Sequence, residues 1–226
     1  MRRLVVAAAI IISLFIITAC SDYDALCVTV EKQLIYSWAQ SMDHSDAEIA
    51  FLGDSRVIGA DWYSAYPEKK VINLGVSGDK IENLLLRTAL FDNLQNLRCC
   101  FVAIGVNNCW TMDFDRAAFK ARFSELLDVL NDKGITIYLN TVPGITRKNS
   151  SFIRIQEFFV TLNVLQVNAV IKELAEERNL VLIDFAAEIA DRNAKLKSEY
   201  SFDGCHYNSA GNQLWFDMLR PYIEQY

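Results

Sequence analysis

Glu48-Ile49-Ala50-Phe51-Leu52-Gly53-Asp54-Ser55-Arg56 is the stretch whose reading decides the fold. Ile49 to Leu52 is a short apolar run stopped by a glycine, the pattern of a buried strand. In an open parallel sheet, ligands gather beyond the carboxyl ends of the strands. Gly53-Asp54-Ser55 at that point puts a hydroxyl at the mouth of the crevice. The bland alternative is an Asp/Ser cap on the helix that follows.

The same layout recurs downstream. Val71 to Leu74 is a second short strand, followed by Ser77-Gly78-Asp79 and a helix over about 80–90 with Ile81, Leu84, Leu85 and Thr88 inward. Cys99 to Ile104 is a third, followed by Gly105-Val106-Asn107-Asn108. Asp113 or Asp115 opens the next helix, with Phe119, Phe123, Leu126, Leu127 and Leu130 inward and Gly134 just past its end. Ile135 to Leu139 and Leu180 to Ile183 are the fourth and fifth strands. A long helix between them, about 154–178, carries Phe158, Leu162, Leu165, Ala169 and Leu174 as its apolar stripe. Ser209 caps a final helix bearing Leu214, Trp215, Met218 and Leu219. Alternation of apolar strands with helices predicts an α/β domain with a parallel sheet covered on both faces. Five strands at this length suggest a doubly wound, flavodoxin-like order.

The chain has 226 residues, 52% hydrophobic, ample for one medium domain. It divides into residues 1–19, 20–46 and 47–226. Arg2 and Arg3 head an apolar run from Leu4 to Ile17, closed by Thr18-Ala19-Cys20, the layout of an export signal. The run falls short of the roughly 20 residues of a membrane span. Ile17-Thr18-Ala19-Cys20 resembles a bacterial lipobox, which would make Cys20 the lipidated first residue of an envelope protein. Ser21 after it is the choice of an outer-membrane lipoprotein facing the periplasm, if the cell has an outer membrane. Simple cleavage and a retained helix are the alternatives. Residues 22–44 are polar at both ends with a helical middle, where Leu26, Val30, Leu34 and Trp38 make one apolar stripe of a helix that packs on the body after a short tether. Losing the two arginines of residues 1–19 leaves 20 basic against 28 acidic residues, a charge of −8. Such an acidic body, without a basic patch, is no nucleic-acid binder.

Serine hydrolysis needs a nucleophile, a base, an orienter for the base and donors for the oxyanion. The chain has 2 histidines. His44 lies in the polar turn Met42-Asp43-His44-Ser45-Asp46, so His206 is the credible base. Asp203, three residues earlier, shares a face with it on a turn or helix start and can fix its tautomer. A helix-entry turn holding a hydrogen-bonded histidine is the structural alternative. Ser, Asp, His is also the chain order of α/β-hydrolases, but Gly53-Asp54-Ser55-Arg56-Val57 lacks the second glycine of their nucleophile elbow.

The four blocks together resemble the SGNH, or GDSL, hydrolase family. Gly53-Asp54-Ser55 matches its first block, Asn73-x-Gly75-x-x-Gly78-Asp79 its second, Gly105-Val106-Asn107-Asn108 its third and Asp203-Gly204-Cys205-His206 its last. The resemblance implies a three-layer α/β/α sandwich and a Ser55-His206-Asp203 triad. It implies an oxyanion hole of the Ser55 and Gly78 N–H groups and the Asn107 side chain. It also implies a carboxylic ester hydrolase acting on small acyl esters such as acetylated glycans or lysolipids. No metal and no cofactor is implied. Asn108 departs from the family's usual Asp and supports the rival reading, a non-catalytic, lipid-anchored envelope protein binding glycan or a partner. Acyl transfer to a sugar would use the same residues.

Smaller expectations complete the reading. Arg56 pairs with Asp79 or Asp61. Trp62 and Trp110 wall the cleft or pack in the core or on the surface. Cys109 and Cys205 are either a loop-clamping disulfide or two buried thiols. No Cys-x-x-Cys spacing favours a zinc site.

Overall fold

The computed structural model describes residues 46–146 and 151–226. The apolar leader, Cys20, the helix expected within 22–44 and His44 lie outside the described residues. Five strands, β1 (Ile49–Gly53), β2 (Val71–Gly75), β3 (Cys99–Ala103), β4 (Thr136–Asn140) and β5 (Val181–Ile183), form one sheet in the order β2-β1-β3-β4-β5. Every pairing is parallel. The order reverses beside β1, so the crevice at its carboxyl end is where a ligand belongs.

Side chains alternate across the strands and feed two cores. Ala50, Leu52, Ile72, Leu74, Cys100, Val102, Ile137 and Leu139 face one side. There they meet α4 (Arg116–Asp132) and α5 (Ser151–Glu177). Ile49, Phe51, Val71, Cys99, Phe101 and Tyr138 face the other, against α6 (Phe185–Ile189) and α7 (Ser209–Ile223). The result is a three-layer α/β/α sandwich. Two one-turn helices, α1 (Ser55–Ile58) and α2 (Trp62–Ala65), follow β1, and α3 (Ile81–Leu85) follows β2.

Four sequence expectations are corrected. The helix after β2 ends at Leu85 and resumes as a 3-10 turn at Thr88–Asn93. Arg87 at the break turns inward, not Thr88, because its guanidinium pairs with buried Asp79. On α5 the sheet-facing stripe is Val160, Val164, Val167, Ile171 and Leu174, while Phe158, Leu162 and Leu165 face outward. Both faces of this helix are apolar, so a period of 3.6 finds two stripes and cannot rank them. Asn208, not Ser209, caps α7, its side chain accepting from Gly211 N. Of the places left open for Trp62, it takes the core, fully buried and stacked on Phe51 at 3.8 Å between ring centroids. Asp115 caps α4 by accepting from Ala118 N, and Gly134 follows that helix at φ +69°.

Candidate active site

The turn after β1 carries Ser55. Gly53 must be glycine, because a Cβ there would come within 2.2 Å of the Ala103 carbonyl oxygen on β3. Asp54 then caps α1, its Oδ1 accepting from Arg56 N at 2.9 Å. Burial pushes the Asp54 carboxyl up from the usual carboxylate range, against the pull of the Arg56 guanidinium. Ser55 is the first residue of α1, with its hydroxyl facing the cleft.

The loop before α7 brings His206 to meet it. His206 Nε2 lies 3.0 Å from Ser55 Oγ, across 151 residues of chain. His206 Nδ1 lies 2.6 Å from Asp203 Oδ2. Asp203 Oδ1 accepts from Cys205 N at 2.8 Å and His206 N at 2.7 Å. Desolvation raises the Asp203 carboxyl, but the His206 backbone N–H, the imidazole and the Cys205 N–H together bring it down to about 2. The carboxylate is therefore ionised at neutral pH and suits the tautomer with its proton on Nδ1, which would point the Nε2 lone pair towards Ser55.

The two loops expected to supply oxyanion donors are tied together. Gly78 adopts φ +71°, a left-handed conformation that glycine accepts without strain. Asn107 Nδ2 donates to the Asp79 carbonyl at 2.9 Å, which uses one amide hydrogen and leaves the other for a ligand. Asn108 Oδ1 accepts from Ile81 N at 3.1 Å, and its Nδ2 donates to Glu82 Oε2 at 3.0 Å. An aspartate could make the first bond but not the second. The neighbouring Glu82 thus gives the unusual amide a physical reason.

Arg56 does not pair with Asp79 or Asp61. Asp61 caps α2 and Asp79 belongs to Arg87. Arg56 is buried, and Nε donates to Cys205 O at 2.9 Å, Nη1 to Pro143 O at 2.8 Å and Nη2 to Gly144 O at 3.3 Å. Sequence reading missed this because backbone carbonyls leave no mark in a sequence. Cys109 and Cys205 are free, buried thiols, and burial pushes the Cys109 thiol up. Ser55, Arg56, Ile58, Gly59, Ser77, Phe202, His206, Tyr207 and Asn212 line a cleft of about 400 Å³; Trp110 is not among them.

A parallel sandwich with a Ser-His-Asp hydrogen-bonded chain at its switch point is the architecture of an SGNH-type hydrolase. The GDSL-like Lipase/Acylhydrolase family matches residues 51–214, and the chain belongs to it. No curated relative matches in sequence. Among solved structures, a GDSL-like lipase from Bacteroides thetaiotaomicron VPI-5482 superposes with TM-score 0.69 at 16% identity, over 86% of this chain and 97% of that one. An acetyl xylan esterase, AlAXEase, gives 0.60 at 20%, over 78% and 99%. An acetylxylan esterase from Geobacillus stearothermophilus, Axe2, gives 0.57 at 20%, over 79% and 94%. At these identities the likeness speaks for the fold.

Proposed function

We propose that the chain is a serine esterase that cleaves small carboxylic esters through an acyl-enzyme. The observation that carries this reading is the continuous Ser55–His206–Asp203 hydrogen-bonded chain. His206 Nε2 takes the Ser55 proton as Oγ attacks the ester carbonyl carbon. The carbonyl π electrons move onto oxygen, where the Ser55 and Gly78 N–H groups and the Asn107 amide stabilise them. The tetrahedral species collapses, the carbon–alkoxy bond breaks, and His206 returns its proton to the leaving alcohol. Water then repeats the sequence on the acyl-serine and releases the acid.

The acetyl xylan esterase neighbours share this fold, which supports an acetylated glycan as substrate. Asn108, the residue that favoured a non-catalytic protein, makes two bonds that brace the site. Ser55→Ala is expected to abolish hydrolysis of p-nitrophenyl acetate and labelling by a serine-directed phosphonate while the thermal midpoint stays put. Unchanged esterase activity in that variant would sink the reading. Asn107→Ala should lower turnover about a hundred- to a thousandfold.

The reading extends to place. Residues 1–19 act as an export leader and Cys20 as the lipidated anchor. Cys20→Ser should move the protein from the membrane fraction to the soluble one and stop incorporation of labelled palmitate.

A further inference from the structure

Phe202 is held where the fold gains little from it. The residue is 73% exposed, yet its loop is closely fastened. Ser201 Oγ donates to His206 O at 2.6 Å and accepts from Gly204 N at 2.8 Å. Ser201 also pairs with Tyr207 in an isolated antiparallel bridge. A large apolar ring kept in water by a hydrogen-bonded loop forgoes the stabilisation that burial brings. The ring lies 16° from parallel to the His206 imidazole, with centroids 6.0 Å apart, and lines the cleft above Ser55.

We propose that Phe202 is the platform for the alcohol half of the ester, and that this alcohol is a sugar ring. The inference rests on the esterase reading above. In that reading the leaving oxygen receives its proton from His206 Nε2, so the group it carries departs on the imidazole's side. Phe202 flanks the imidazole and therefore meets the alcohol, while the carbonyl oxygen turns to Gly78 and Asn107. A pyranose has a C–H face that fits an aromatic plane and a rim of hydroxyls. The cleft supplies Ser77 and Asn212 for such a rim. A phospholipid headgroup fits less well. Arg56 is the cation among the described lining residues, and its guanidinium already donates to three carbonyls.

The test compares three esters on the unsubstituted protein, Phe202→Ala and Phe202→Trp. These are an acetylated methyl xyloside, ethyl acetate and ethyl hexanoate. Phe202→Ala should raise KM for the xyloside about tenfold, the scale of one aromatic contact. It should change kcat/KM for ethyl acetate by less than about twofold. Phe202→Trp should restore the xyloside KM. An equal loss on all three esters would make Phe202 a merely structural residue and overturn the platform. A loss confined to ethyl hexanoate would place the ring on the acyl side and overturn it too. In either case Ser55-dependent hydrolysis of ethyl acetate leaves the esterase reading standing. Failure of the unsubstituted protein to cleave any of the three would overturn both.

Discussion

Arg56 Nε and Nη1 reach the carbonyls of Cys205 and Pro143 at 2.9 and 2.8 Å, so one side chain joins the turn of Ser55 to the residue before His206. Ser55 and His206 meet at 3.0 Å across two loops, and that gap is as exact as the fastening between them. An ammonium has neither the planar fork nor the reach to hold three carbonyls at once. Arg56→Lys is therefore expected to lower kcat about ten- to a hundredfold, with KM nearly unchanged, as a small misplacement of reacting groups would. Rates normalised to phosphonate-titrated sites separate this from partial unfolding, which would lower the site count and not the rate per site. Asp203 makes a prediction about acid. Its carboxyl titrates near 2 when folded against an ordinary 3.8. A carboxyl with a depressed folded value stabilises above its unfolded value, and that contribution is lost as pH falls through the folded one. Thermal midpoints should thus fall between about pH 4 and pH 2 more steeply in the parent than in Asp203→Asn.

At the scale of elements, the strands and the polar loops that follow them were legible because their signals are local. A short apolar run ending in glycine reads as a strand, and the polar block after it reads as a loop at the sheet's edge. Helix faces were less legible. On α4 the apolar positions fall on one side and read correctly, with Phe119, Phe123, Leu126, Leu127 and Leu130 all buried. On α5 the β-branched stripe won the sheet and left Phe158 and Leu165 at 58% and 52% exposure. The assignment is testable by truncation on the two faces. Ile171→Ala should cost about 2–5 kcal/mol in a urea titration. Leu165→Ala should stay within about 0.5 kcal/mol. The third block offers a finer comparison. Asn108→Asp sets a carboxylate against Glu82 where an amide now donates at 3.0 Å. It should lose about 1 kcal/mol, and Glu82→Gln in the same chain should restore most of it. Equal losses with and without Glu82→Gln would mean that the Ile81 N–H bond alone matters.

Across the whole molecule, the sandwich and the meeting of Ser55 with His206 and Asp203 were readable from spaced motifs. What joins them was not. Two buried arginines do this, and an arginine in a sequence looks like surface. Arg56 gathers the loop after β4 and the His206 loop. Arg87 gathers the ends of β1 and β2: Nη1 donates to Leu74 O at 2.7 Å, Nη2 to Gly53 O at 3.3 Å, and Nε lies 3.1 Å from Asp79 Oδ2. Asp79 is fully buried, and its carbonyl accepts the Asn107 amide, so the pair underlies the proposed oxyanion loops. Removing one partner of a buried pair strands the other charge. Arg87→Met should therefore destabilise by about 3–5 kcal/mol in urea, with the slope unchanged. Arg87→Met combined with Asp79→Asn removes the stranded charge and should recover a large part of that loss. A double variant no more stable than Arg87→Met would mean that the hold on the Gly53 and Leu74 carbonyls, rather than the ion pair, is what the buried guanidinium contributes.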